Sequence, residues 1–113
     1  MKPRSGWRMK AWANSGGGIF AVGLNGTIIH SPGGGAPFVR VDGGTTKNLV
    51  GVWGNGDDIF VAGDAGTILH SGNGGATWMT EASNAGQMLW SVWGDDARNV
   101  YAVGAGGIIL RRQ

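Results

Sequence analysis

Residues 58–71 read DIFVAGDAGTILHS, and the same pattern stands forty positions earlier as GIFAVGLNGTIIHS at residues 18–31. It returns forty-one positions later as NVYAVGAGGIILRR at residues 99–112. Each copy is preceded by a tryptophan, at Trp12, Trp53 and Trp93, the last two inside identical Val-Trp-Gly triplets. A period of about 40 residues is that of propeller repeats, in which each unit is one small sheet that cannot bury its own faces. A small barrel or sandwich would not require the same aromatic, glycine and tryptophan positions to recur at that interval.

Within the period the pattern is that of strands and turns, with no 3.6-residue stripe. In the second unit strands are expected near 49–53, 59–63, 67–71 and 77–81. The runs Leu24-Asn25-Gly26 and Asp64-Ala65-Gly66 put turn-forming residues between β-rich segments, as does Gly104-Ala105-Gly106-Gly107. The pairs Ile28-Ile29 and Ile68-Leu69 are continuously apolar, as in strands covered on both faces. The fold class expected is therefore all-β, a β-propeller array of about three four-stranded blades per chain. The whole chain, 1–113, is one array, with blades at about 8–44, 48–84 and 87–113.

The segment Ser71-Gly72-Asn73-Gly74-Gly75-Ala76-Thr77-Trp78 resembles the Asp-box, or BNR repeat, whose pattern is Ser-x-Asp-x-Gly-x-Thr-Trp, with Asn73 where that family has aspartate. The resemblance implies a structural turn built by Ser71, Asn73, Gly75, Thr77 and Trp78, the side chains bonding to turn backbone and the indole packing beneath. The first unit matches it poorly, with Gly33 in the acidic slot and Pro37 in that of the threonine. The wider pattern is similar to bacterial propellers of the photosystem II stability factor type. Those families include sialidases, glycan-binding proteins and assembly factors, so the resemblance implies a fold more than an activity.

The third unit ends just after its third strand, leaving eleven strands where twelve are expected. Residues 1–7 are expected to supply the missing outer strand. Three blades are fewer than the four to eight that close a ring, so the expected partner is a second copy, a homodimer of six blades.

The 24 glycines of the 113 residues fit many short elements joined by tight turns. Without cysteine there is no disulfide, thiolate nucleophile or zinc-thiolate site, and the compartment is not indicated by thiols. Neither a signal peptide nor a membrane span is visible. Lys2, Arg4, Arg8, Lys10, Arg111 and Arg112 make the termini basic around a mildly acidic body. Aromatic and basic residues are not interleaved as on a single-strand platform, which argues against nucleic acid as partner.

The pairs Asp57-Asp58 and Asp95-Asp96 occupy equivalent connections and are candidates for ligand binding, although turns also favour aspartate. His30 and His70 share one repeat position without the extra ligands of a metal site. No catalytic residue, metal or cofactor is expected. Sialidase chemistry would need an arginine triad and a tyrosine nucleophile, yet Tyr101 sits in the slot of Phe20 and Phe60. Trp12, Trp53 and Trp93 are expected between blades. Trp7 and Trp90 lack equivalents and are the candidates for ligand contact. The reading is a non-enzymatic, lectin-like module for a carbohydrate or small ligand, with a protein-interaction scaffold or assembly factor as the alternative.

Overall fold

A computed structural model of the chain describes residues 10–13, 18–81, 86–94, 99–105 and the backbone of 109–111. Eleven strands lie among them: β1 (Lys10–Ala13), β2 (Ile19–Val22), β3 (Ile28–Ser31), β4 (Val39–Val41), β5 (Leu49–Asn55), β6 (Asp58–Gly63), β7 (Ile68–Ser71), β8 (Met79–Glu81), β9 (Leu89–Gly94), β10 (Val100–Gly104) and β11 (Ile109–Arg111). The protein is all-β. Its strands form three antiparallel sheets, each connected in chain order: β1-β2-β3-β4, β5-β6-β7-β8 and the three-stranded β9-β10-β11. Among the described residues no helix is long and apolar enough to cross a membrane.

The strands of the second unit fall within two residues of the positions expected from the repeat. Residues 1–7, expected to add an outer strand beside β11, lie outside the described residues.

Turn length sets the register. Gly23–Thr27 and Gly63–Thr67 close identically, with Thr27 donating to the Leu24 carbonyl at 3.1 Å and Thr67 to that of Asp64 at 3.0 Å. Each turn places two residues at positive φ, Asn25 at 59° with Gly26 at 73° and Ala65 at 57° with Gly66 at 73°. Glycine adopts that conformation freely, and asparagine adopts it more readily than alanine. Ala65→Asn is therefore expected to raise stability by about 0.5–1 kcal/mol, read from the urea midpoint.

With register set, one cross-strand row recurs: Trp12 opposite Phe20 opposite His30, Trp53 opposite Phe60 opposite His70, and Trp93 opposite Tyr101 opposite Arg111. Alternation along a strand sends this row to one face and its neighbours to the other. In the first sheet the tryptophan face turns toward the second sheet. There Phe20, Val22 and Ile28 bury themselves with Leu49, Ile59, Val61 and Leu69. The tryptophan face of the second sheet turns toward the third, burying Phe60 and Ala62 with Leu89, Val92, Val100 and Ala102. Both faces of the middle sheet are thus covered, which accounts for Ile68 packing on one side and Leu69 on the other. Full burial of one such side chain contributes about 1.5–3 kcal/mol.

Glycine permits the closest approaches between sheets. A Cβ on Gly54 would stand 2.6 Å from the Trp12 ring, and one on Gly94 would stand 3.1 Å from the Trp53 ring. The same contact therefore joins the first sheet to the second and the second to the third. Backbone hydrogen bonds reinforce the stack, with Leu49 N–H donating to the Gly23 carbonyl at 2.9 Å.

Candidate functional site

The turn at residues 71–78 is a closed hydrogen-bond circuit. Ser71 Oγ accepts from Gly75 N–H at 2.8 Å and donates to Asn73 Oδ1 at 2.9 Å. Asn73 Oδ1 also accepts from Thr77 N–H at 3.0 Å, while its Nδ2 donates to Thr77 Oγ1 at 2.8 Å. Trp78 Nε1 donates to the Gly75 carbonyl at 3.2 Å, and its ring meets Phe20 edge-on at 6.2 Å. The indole is only partly buried. Its side chains are thus engaged in holding the turn. Asn73→Asp preserves the acceptor and lets the Thr77 hydroxyl turn to donate, so its melting temperature is expected to stay near wild type. Asn73→Ala leaves the Thr77 N–H and the Ser71 hydroxyl without that acceptor and is expected to cost about 1–3 kcal/mol by urea unfolding.

Beside that turn lies a group that spacing alone did not reveal. His70 Nε2 is 2.8 Å from Asp58 Oδ1, and His70 Nδ1 is 3.1 Å from Glu81 Oε2. The imidazole stacks on Phe60 with ring centroids 4.3 Å apart and planes inclined by 6°. A carboxylate thus faces each ring nitrogen, so whichever nitrogen carries a proton has an acceptor. The histidine stands between the two acids, each facing a different ring nitrogen. Among the described residues no group of His, Asp or Glu is arranged to hold a metal ion. His30 stacks in the same way on Phe20, at 4.2 Å, but its unit has Gly18 and Val41 where the second has Asp58 and Glu81.

The remaining candidates separate. Asp58 is engaged with His70, while the exposed Asp57 offers its carbonyl to Gly74 N–H at 2.9 Å. The connection holding this pair therefore lies against the 71–78 turn. Asp95, Asp96 and Trp7 lie outside the described residues. Trp90 is 55% exposed. It stands on a bulge in β9, where Leu89 pairs with Gly104 and Ser91 with Val103, leaving Trp90 as the extra residue. Its backbone is nonetheless held: the Trp90 carbonyl and the Ser91 Cα lie 3.3 and 3.1 Å from where a Cβ on Gly51 would stand. Trp90 is thus a large aromatic face displayed from a supported strand.

Trp12 and Trp53 pack against the two cores. Trp93, which shares their motif and is expected between blades, is 51% exposed and stacks on Tyr101 at 4.8 Å. Among the described residues no further sheet covers that row.

Comparison with protein-family models and with curated proteins finds no match to this chain.

Proposed function

We propose that the chain is a non-enzymatic β-propeller binding module, its three sheets being blades of a ring completed by a second copy. Repetition of the intersheet contact supports the propeller: Trp12 on Gly54 and Trp53 on Gly94 relate successive sheets by the same operation. The ligand class rests on one observation, the exposed indole of Trp90 carried on the β9 bulge. A rigid aromatic face beside polar backbone suits the apolar face of a pyranose ring. In a two-copy ring that site occurs twice, so weak single contacts add through multivalency.

Titration with a panel of mono- and oligosaccharides, followed by tryptophan emission and a glycan array, tests the reading. Binding is expected, and Trp90→Ala is expected to weaken it by about tenfold, the upper range for a stacked aromatic. A chain that responds to no sugar in either assay contradicts the carbohydrate assignment.

A second reading, a protein-interaction scaffold, has its own support. The outer strands β4 and β8 carry Val39 and Met79 in equivalent positions, and both are exposed, as is Phe38. An apolar rim of that kind fits a protein partner better than a sugar. This reading expects capture of a defined partner that is lost on Met79→Ser and unaffected by Trp90→Ala.

A further inference from the structure

The two terminal sheets carry complementary halves of the contact that joins the sheets within the chain. On the third sheet, Trp93 and Tyr101 form the aromatic row that in the first two sheets lies against the next sheet. On the first sheet, Ala13, Ile19, Ala21 and Ile29 occupy the positions that in the second are Gly54, Ile59, Val61 and Leu69. Ile59, Val61 and Leu69 are fully buried because the first sheet covers them, whereas Ile19 and Ile29 are only partly buried. Nothing within the described chain takes the place of a preceding sheet.

A second feature of the pattern is equally one-sided. Phe20 reaches across to the turn of the second sheet, where a Cβ on Gly75 would stand 2.5 Å from its ring. The equivalent glycine of the first sheet, Gly35, has the same kind of backbone, φ +84° against +94°, and open space where its Cβ would be. Tyr101 occupies in the third unit the position of Phe20 in the first.

We propose that the Trp93–Tyr101 face docks onto the outward face of the first sheet of a second copy of this chain, Trp93 over Ala13 and Tyr101 over Gly35. The proposal rests on the propeller reading and names the contact that closes it. The occupant is a second copy because the missing half of each contact is present at the other end of the same sequence. Two such contacts, third sheet to first in each direction, give a closed dimer with two-fold symmetry and leave neither face open.

One residue departs from the internal pattern and sharpens the test. Glycine lies under Trp12 and under Trp53, but Ala13 would lie under Trp93. Its methyl group holds the indole away, so the closing contact is looser than the internal ones. Ala13→Gly is therefore expected to tighten self-association of the full chain by about three- to tenfold, the gain from relieving an overpacked contact. Ala13→Arg, at an exposed position of the single chain, and Trp93→Ala are each expected to weaken it by about tenfold or more, as at an interface hot spot.

Sedimentation equilibrium across a dilution series reads the constants, and melting at the lowest concentration checks that each variant folds. Tightening by Ala13→Gly is an effect that a damaged fold would not produce. If the wild type dimerises with a constant that Ala13→Gly and Ala13→Arg leave unchanged, this contact is wrong while a ring closed elsewhere survives. If the wild type remains at 11.6 kDa at every concentration, both the contact and the closed ring are overturned.

Discussion

Phe20→Ala is expected to destabilise the folded chain by about 3–5 kcal/mol, the loss seen when a buried aromatic is truncated to leave a cavity. Phe20 is 1% exposed and is where four groups meet: His30 stacks on it at 4.2 Å, Trp12 lies at 6.4 Å, Trp78 meets it edge-on, and the Gly75 turn closes over its end. Removing the ring therefore opens the junction between the first and second sheets and takes the support from the 71–78 turn as well. Since a domain of this size is stable by only about 5–15 kcal/mol, the variant should unfold at a much lower urea concentration. A midpoint shift equivalent to less than about 1 kcal/mol would mean that the ring is not part of the core.

Gly75→Val is expected to be comparably severe, for two separable reasons. The backbone stands at φ +94°, which costs a β-branched residue about 1–3 kcal/mol. The added side chain would also displace the Phe20 ring, already 2.5 Å from the Cβ position alone. Gly74→Val isolates the first cause, because Gly74 has φ +72° but its nearest neighbour, Asp57 Oδ1, lies at 3.5 Å. The excess loss of Gly75→Val over Gly74→Val in urea unfolding then reads the steric contribution, expected to be about 1–3 kcal/mol as for overpacked cores. Equal losses would show that no ring lies over Gly75.

The His70 group offers a paired comparison of smaller size. His70→Phe keeps the stack on Phe60 but leaves Asp58 and Glu81 without that donor, and is expected to cost about 1–3 kcal/mol. His30→Phe, with no carboxylate at the equivalent positions, is expected to stay within about 0.5 kcal/mol of wild type.

These cases also show what was legible in the residues. The strands and hairpins of the second unit follow from local chemistry: glycines at fixed offsets, β-branched runs between them, and two turns of the same length that fix register. Contacts across strands were less visible. Asp58, His70 and Glu81 are brought together only once Phe60 is known to stand opposite His70 and Ile68 opposite Glu81, and nothing in the spacing of the three marks them as partners. Least visible was the fate of identical motifs. Trp53 and Trp93 share Val-Trp-Gly, yet one packs in a core and the other is half exposed, because burial there depends on the next sheet in space. Trp90 stands on the β9 bulge, whose equivalent at Val50 is also the unpaired residue of its strand but is partly buried.

A crystal structure of the full chain grown above its association concentration tests the closed ring most directly. Two chains are expected around a two-fold axis, six sheets in a ring, with Trp93 of each chain covered by the first sheet of the other. A single chain with its first and third sheets both facing solvent, or a dimer joined through the outer strands β4 and β8, would contradict it.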